Sequence, residues 1–268
     1  MTPLFAVLLG IVEGVTEYLP ISSTGHLILV SHWLGLDDEG TKSFDVVIQL
    51  GAILAVLVHY RALLAERAKG LATKKPESIS LLVALVVGFV PTALAGLVLR
   101  KTIKEHLFGA WPVAAALLVG GVLMIVVEVL RARRDAPGLV GLEHVTPKRA
   151  ALIGIGQCFA MWPGASRSMC TIVTGQLTGL STATAAEFSF LLGLPTLGAA
   201  TLYEGMKSRH DLAAIGAGNV AIGLVVSFFV AWAVIAAFLA YLKRRGLMPF
   251  GVYRIVVGVL VFVLLVRA

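Results

Sequence analysis

The sequence predicts an all-α polytopic membrane protein, an inverted-topology repeat of six transmembrane helices plus two re-entrant helical hairpins. Three observations carry that prediction. Hydrophobic residues make up 58% of the chain and charged residues only 14%, against roughly a quarter charged in a soluble domain. The runs 79–99 and 214–242 contain no charged side chain, and about 20 apolar residues suffice to cross a hydrocarbon core. Two further apolar segments are broken mid-way by polar clusters that resemble each other. The net charge of +7 does not indicate nucleic acid, because the basic residues fall in short loops between apolar runs.

The first broken segment runs from Pro3 to Leu36 and is interrupted between Tyr18 and His26. It lacks the basic region that precedes a signal peptide's apolar core, so it is expected to be retained. Spans follow at 44–60, 79–99 and 110–130. The second broken segment, Ala150 to Leu180, is interrupted between Trp162 and Ser168, and spans follow at 182–204, 214–242 and 249–266. Proline and serine clusters stop a helix, and each remaining arm is too short to cross alone. Each broken segment therefore reads as a hairpin that enters and leaves on one side, with its bent backbone sheltered by protein or a water-filled cavity.

Both tips carry Pro-x-x-Ser, as Pro20 to Ser23 and Pro163 to Ser166, and Gly51 and Gly193 follow the two prolines by similar distances. These landmarks predict a first repeat at 1–135 and a second, inverted one at 145–268, forming one membrane domain. Orientation follows from Lys and Arg. The 61–77 loop, the 131–149 loop (Arg131, Arg133, Arg134, Lys148, Arg149) and Lys243 to Arg245 belong inside by the positive-inside rule. Lys42, Arg100, Lys101, Lys104, Lys207, Arg209 and Arg267 fall outside. Three spans per half is an odd number, so the halves are inverted and both tips reach the midplane. Cys158 and Cys170 lie in or beside apolar sequence without metal-ligand spacing, which argues against a disulfide or zinc role.

The chemistry-bearing residues concentrate at the tips. Glu13 and Glu17, four apart, share one helix face. Two carboxylates in an apolar setting call for a divalent cation, Mg²⁺ or Ca²⁺, completed by phosphate oxygens; otherwise one is protonated and hydrogen-bonded between helices. Ser22, Ser23 and Thr24 open the second arm, where hydroxyls and free N–H groups form an anion site. Serine also caps helices. His26, three residues past Ser23, reads either as that serine's general base or as the nucleophile itself. Arg167, between Ser166 and Ser168, matches phosphate oxygens, or pairs with Glu13 or Glu17 until substrate displaces the pair. Gln49 and Glu187 follow the tips in their halves and can line the cavity or pack. Arg254, five residues past Pro249, is expected to snorkel to the cytoplasmic interface.

The motifs EGVTEYLPISSTGH (Glu13 to His26), FDVVIQLGAILAV (Phe44 to Val56), PGASRS (Pro163 to Ser168), EFSF (Glu187 to Phe190) and YRI (Tyr253 to Ile255) resemble the bacterial undecaprenyl-pyrophosphate phosphatase, or bacitracin-resistance, family along the whole chain. Met169 departs from it, since the family usually has glycine there. The resemblance implies an inner-membrane hydrolase that converts undecaprenyl pyrophosphate to the monophosphate, recycles the carrier lipid for cell-wall synthesis, and works as a dimer with a periplasm-facing site. It also implies Glu13 and Glu17 as the acidic motif, Ser23 and His26 as the reactive pair, and Arg167 as the phosphate ligand. The rival class is a transporter or flippase of anionic lipids, which shares the inverted-repeat architecture.

Overall fold

The computed structural model describes residues 1–36, 38–107, 109–133 and 138–267. Arg134 and the repeat boundary at residue 135 lie outside these, as do the side chains of Arg100, Lys101, Lys104, Arg209 and Arg267. The first broken segment forms α1 (Pro3–Thr16) and α2 (Ser23–Trp33), followed by α3 (Glu39–His59), α4 (Arg61–Ala72), α5 (Pro76–His106) and α6 (Ala110–Ala132). The second half repeats that order with α7 (Pro147–Cys158), α8 (Arg167–Leu177), α9 (Thr182–Lys207), α10 (Arg209–Ile215), α11 (Ala217–Leu242) and α12 (Met248–Arg267).

Among the described residues six helices are long and apolar enough to cross a membrane, and they match the six expected spans within a few residues. The chain is an all-α, multi-pass membrane protein. At 1.5 Å per residue, α1 reaches only about 21 Å and α2, α7 and α8 less, short of a core about 30 Å thick. Helix α4 was expected as loop; its segment RALLAERAKGLA consists largely of strong helix formers, whose propensity acts whether or not the segment enters lipid.

The most extensive helix contacts are shared by the two halves. Helix α1 lies on α11 while its counterpart α7 lies on α5; α3 packs on α11 as α9 does on α5; α3 meets α9, and α6 meets α12. Exchanging the halves leaves this pattern of neighbours unchanged. The two tips also share one backbone geometry. Ser22 and Ser166 adopt φ of 76° and 72°, a region that costs a non-glycine residue about 1–3 kcal/mol. Each serine then caps its helix, accepting from the Gly25 N–H at 3.3 Å and the Met169 N–H at 3.2 Å. Met169, the departure from the family pattern, sits in the first turn of α8 and leaves this cap intact.

Candidate active site

The tips meet around a cavity of about 120 Å³ lined by Glu17, Ser22, Ser23, Thr24 and Gln49 from the first half and Trp162, Ser166 and Arg167, among others, from the second. Helices α2 and α8 both begin here. Their first-turn N–H groups cannot be satisfied within the helix, and two positive dipole ends converge on one small space. That is the arrangement that binds phosphate.

Glu17 stands at the junction. Its Oε1 pairs with Arg167 Nη2 at 3.2 Å, with the Glu17 side chain buried and that of Arg167 only 9% exposed. Its Oε2 accepts from Ser23 Oγ at 2.5 Å and from Gln49 Nε2 at 3.3 Å. Ser168 Oγ donates to the Glu17 carbonyl at 2.9 Å, tying the second tip to the first. Arg167 is further oriented by Ser189, whose carbonyl and hydroxyl accept from Nη1 at 2.8 and 3.3 Å, and its Cζ lies 5.6 Å from the Tyr18 ring centroid. Thr201 Oγ1 donates to Gln49 Oε1 at 3.1 Å, fixing which end of that amide faces Glu17.

Glu13, one turn before Glu17, is fully buried, and neither carboxylate oxygen has a hydrogen-bond partner among the described residues. The expected alternative of an interhelical hydrogen bond is therefore not what this carboxyl makes. A buried carboxylate without a hydrogen-bond partner, one helix turn from a second, has the donor chemistry of a divalent-cation ligand. Among the described residues, no group of three or more His, Cys, Asp or Glu could hold a metal by itself.

The structure does not pair His26 with Ser23. Its Nδ1 lies 2.7 Å from the Ser22 carbonyl, so Nδ1 carries the proton, and Nε2 lies 2.8 Å from the Tyr253 hydroxyl, which stacks on the imidazole. Ser23 meets Glu17 instead. Gln49 lines the cavity; Glu13, His26, Ser168 and Glu187 are not among the lining residues.

Arg254 corrects the expectation of a snorkelling side chain. It is fully buried and donates to three backbone carbonyls: Pro20 at the first tip (3.2 Å), Gly164 at the second (2.9 Å) and Ala116 of α6 (2.9 Å). Gly164 has φ 95° and lies against the Val113 backbone, where a side chain would collide. One guanidinium thus clasps both bends. Sequence reasoning missed this role and those of Ser189, Thr201 and Tyr253. The available signals were an arginine near the start of an apolar helix whose other charge is its last residue, and hydroxyls within the EFSF and YRI motifs.

Fold and site together define an integral membrane protein with a polar cavity where two broken apolar segments meet. The chain belongs to the bacitracin resistance protein BacA family, whose model matches residues 6–260. It is 58% identical over 258 residues to the undecaprenyl-diphosphatase of Sorangium cellulosum, spanning 96% of this chain and 84% of that one. The undecaprenyl-diphosphatases of Solidesulfovibrio magneticus and Thermoanaerobacter pseudethanolicus are 46% and 43% identical, each match covering 97% of this chain.

Proposed function

We infer that this chain is a membrane phosphatase that hydrolyses undecaprenyl diphosphate to undecaprenyl phosphate and phosphate, recycling the carrier lipid and thereby conferring resistance to bacitracin. The single observation that carries the chemistry is Glu17 bound at once to the Ser23 hydroxyl and to Arg167. An incoming diphosphate offers Arg167 oxygens in place of Glu17 Oε1, and the starts of α2 and α8 stabilise the added charge. Glu17, released from its ion pair, accepts the Ser23 proton as Oγ attacks the terminal phosphorus. The bond to the bridging oxygen breaks, undecaprenyl phosphate leaves, and a phosphoserine remains. Glu17 gives the Ser23 proton to the leaving undecaprenyl phosphate and is a base again when water attacks the phosphoserine phosphorus. It takes a proton from the water and returns it to Ser23 Oγ as the bond to phosphorus breaks and phosphate departs. Glu13 and Glu17 would hold a divalent cation, Mg²⁺ or Ca²⁺, which when bound neutralises charge on the diphosphate. His26, with both ring nitrogens engaged by the Ser22 carbonyl and the Tyr253 hydroxyl, is not the base for Ser23.

In the same reading the broken helices are re-entrant hairpins of an inverted repeat, with the basic loops cytoplasmic, the cavity open to the periplasmic face of a bacterial plasma membrane, and two copies forming a homodimer. The exchange-invariant packing and the matching tips support the repeat. The test is phosphate release from detergent-solubilised protein on long-chain and short-chain prenyl diphosphates, with and without chelator. Metal-dependent release without a membrane barrier is expected; a transporter or flippase would release none.

A further inference from the structure

On the outer face of the second hairpin lies a groove of about 660 Å³ between α7 and α8. Its lining is graded. At one end stand Thr146, Lys148, Arg149 and Thr178; along it run Leu152, Ile155, Phe159 and Leu177, over a floor of Gly156 and Thr174. The floor lies low because the two helices touch there: a Cβ on Gly156 would run into the Thr174 side chain. The apolar lining residues are between 43% and 70% exposed, so no protein covers them.

We propose that this groove is a binding site for an anionic phospholipid, separate from the catalytic cavity. The dimensions suit one leaflet. From Lys148 to Phe159 is about 16 Å of helix, and half a hydrocarbon core is about 15 Å. A lipid whose headgroup rests at Lys148 therefore lays its chains along Leu152, Ile155 and Phe159 and ends at mid-depth.

Charge selects the headgroup. Among the described residues no Asp or Glu lines the groove. Arg149 is pinned at the rim by Nε donating to the Thr178 carbonyl (3.1 Å) and Nη1 to the His144 carbonyl (2.9 Å), so its charge is oriented without being neutralised by a carboxylate. Lys148 is exposed and has no ion-pair partner among the described residues. The N-terminus of α7 adds its positive dipole end at the same rim. Arg131 donates to the Gln176 and Leu180 carbonyls nearby, so the rim lies where the basic 131–149 loop meets the end of α8. Basic pockets on that side of membrane proteins recognise anionic headgroups.

The test is native mass spectrometry of the purified full chain, equilibrated with equal amounts of phosphatidylglycerol and phosphatidylcholine carrying identical acyl chains. Wild type should retain phosphatidylglycerol preferentially. Lys148→Glu should reduce that preference at least about fivefold, the effect of one basic residue at an anionic surface. Ile155→Trp, which fills the groove, should reduce retention of both lipids. Phosphate release by each variant should stay at the wild-type rate, showing an intact fold. Equal retention of the two lipids by wild type, a preference unchanged in active Lys148→Glu, or retention unchanged in active Ile155→Trp would overturn the proposal.

Discussion

Ser23 and Glu17 share one short hydrogen bond but fail in different ways when changed. Ser23→Ala removes the attacking oxygen and should lower turnover by about a thousandfold or more, with no radiolabelled phosphoserine trapped on brief mixing with terminally labelled substrate. Wild-type turnover in Ser23→Ala would exclude serine attack. Glu17→Gln keeps the shape of the side chain but loses the base and the charge facing Arg167; a fall of about 10²–10⁴-fold is expected. Arg167→Lys keeps a charge but cannot span Glu17 and Ser189 at once, so it should lower kcat about a hundredfold even at saturating substrate. The Glu17–Arg167 pair was legible in the sequence, because an arginine and two carboxylates buried in lipid have few partners besides one another. That Ser23 turns to Glu17 and not to His26 was not legible. The spacing Ser-x-x-His is equally compatible with a histidine whose Nδ1 bonds back to the Ser22 carbonyl, and the choice is made by Tyr253, far along the chain.

At the level of elements, the two tips depend on α6 and α12 for their position. Arg254 fits its place because Gly120 of α6 has no side chain there: a Cβ would lie 2.8 Å from Arg254 Cζ. The guanidinium is held by three carbonyls and cannot move aside. Gly120→Ala should therefore destabilise the fold by about 1–3 kcal/mol, the usual cost of overpacking. Arg254→Met, which leaves three tip and α6 carbonyls without their donor, should cost about as much or more. Differential scanning fluorimetry in detergent reads both, and an unshifted Tm for both variants would remove the clasp from the account. Helices and breaks were legible locally, since apolar runs, proline and serine act within a few residues. The clasp was not, because its acceptors at Pro20, Ala116 and Gly164 are backbone groups that any sequence supplies.

For the whole molecule, the starts of α2 and α8 confront each other in one cavity, and the proposed inversion brings them there by letting two hairpins enter from opposite faces. The pattern of neighbours is compatible with that inversion because each first arm, α1 or α7, leans on a span of the other half, α11 or α5. Such cross-bracing ties the two proposed repeats together through packing between residues far apart in the chain, which the landmarks Pro20, Gly51, Pro163 and Gly193 do not encode. Orientation is testable without any activity measurement. In a background with Cys158 and Cys170 replaced by alanine, Lys42→Cys at the start of α3 should react with a membrane-impermeant maleimide on intact cells. Lys75→Cys, before α5, should react only after permeabilisation, because α3 carries the chain across between them. Labelling of Lys75→Cys from outside would turn the molecule over and put the cavity on the cytoplasmic face. Equal labelling of both positions would mean that α3 does not cross, and the two tips could not then approach from opposite sides.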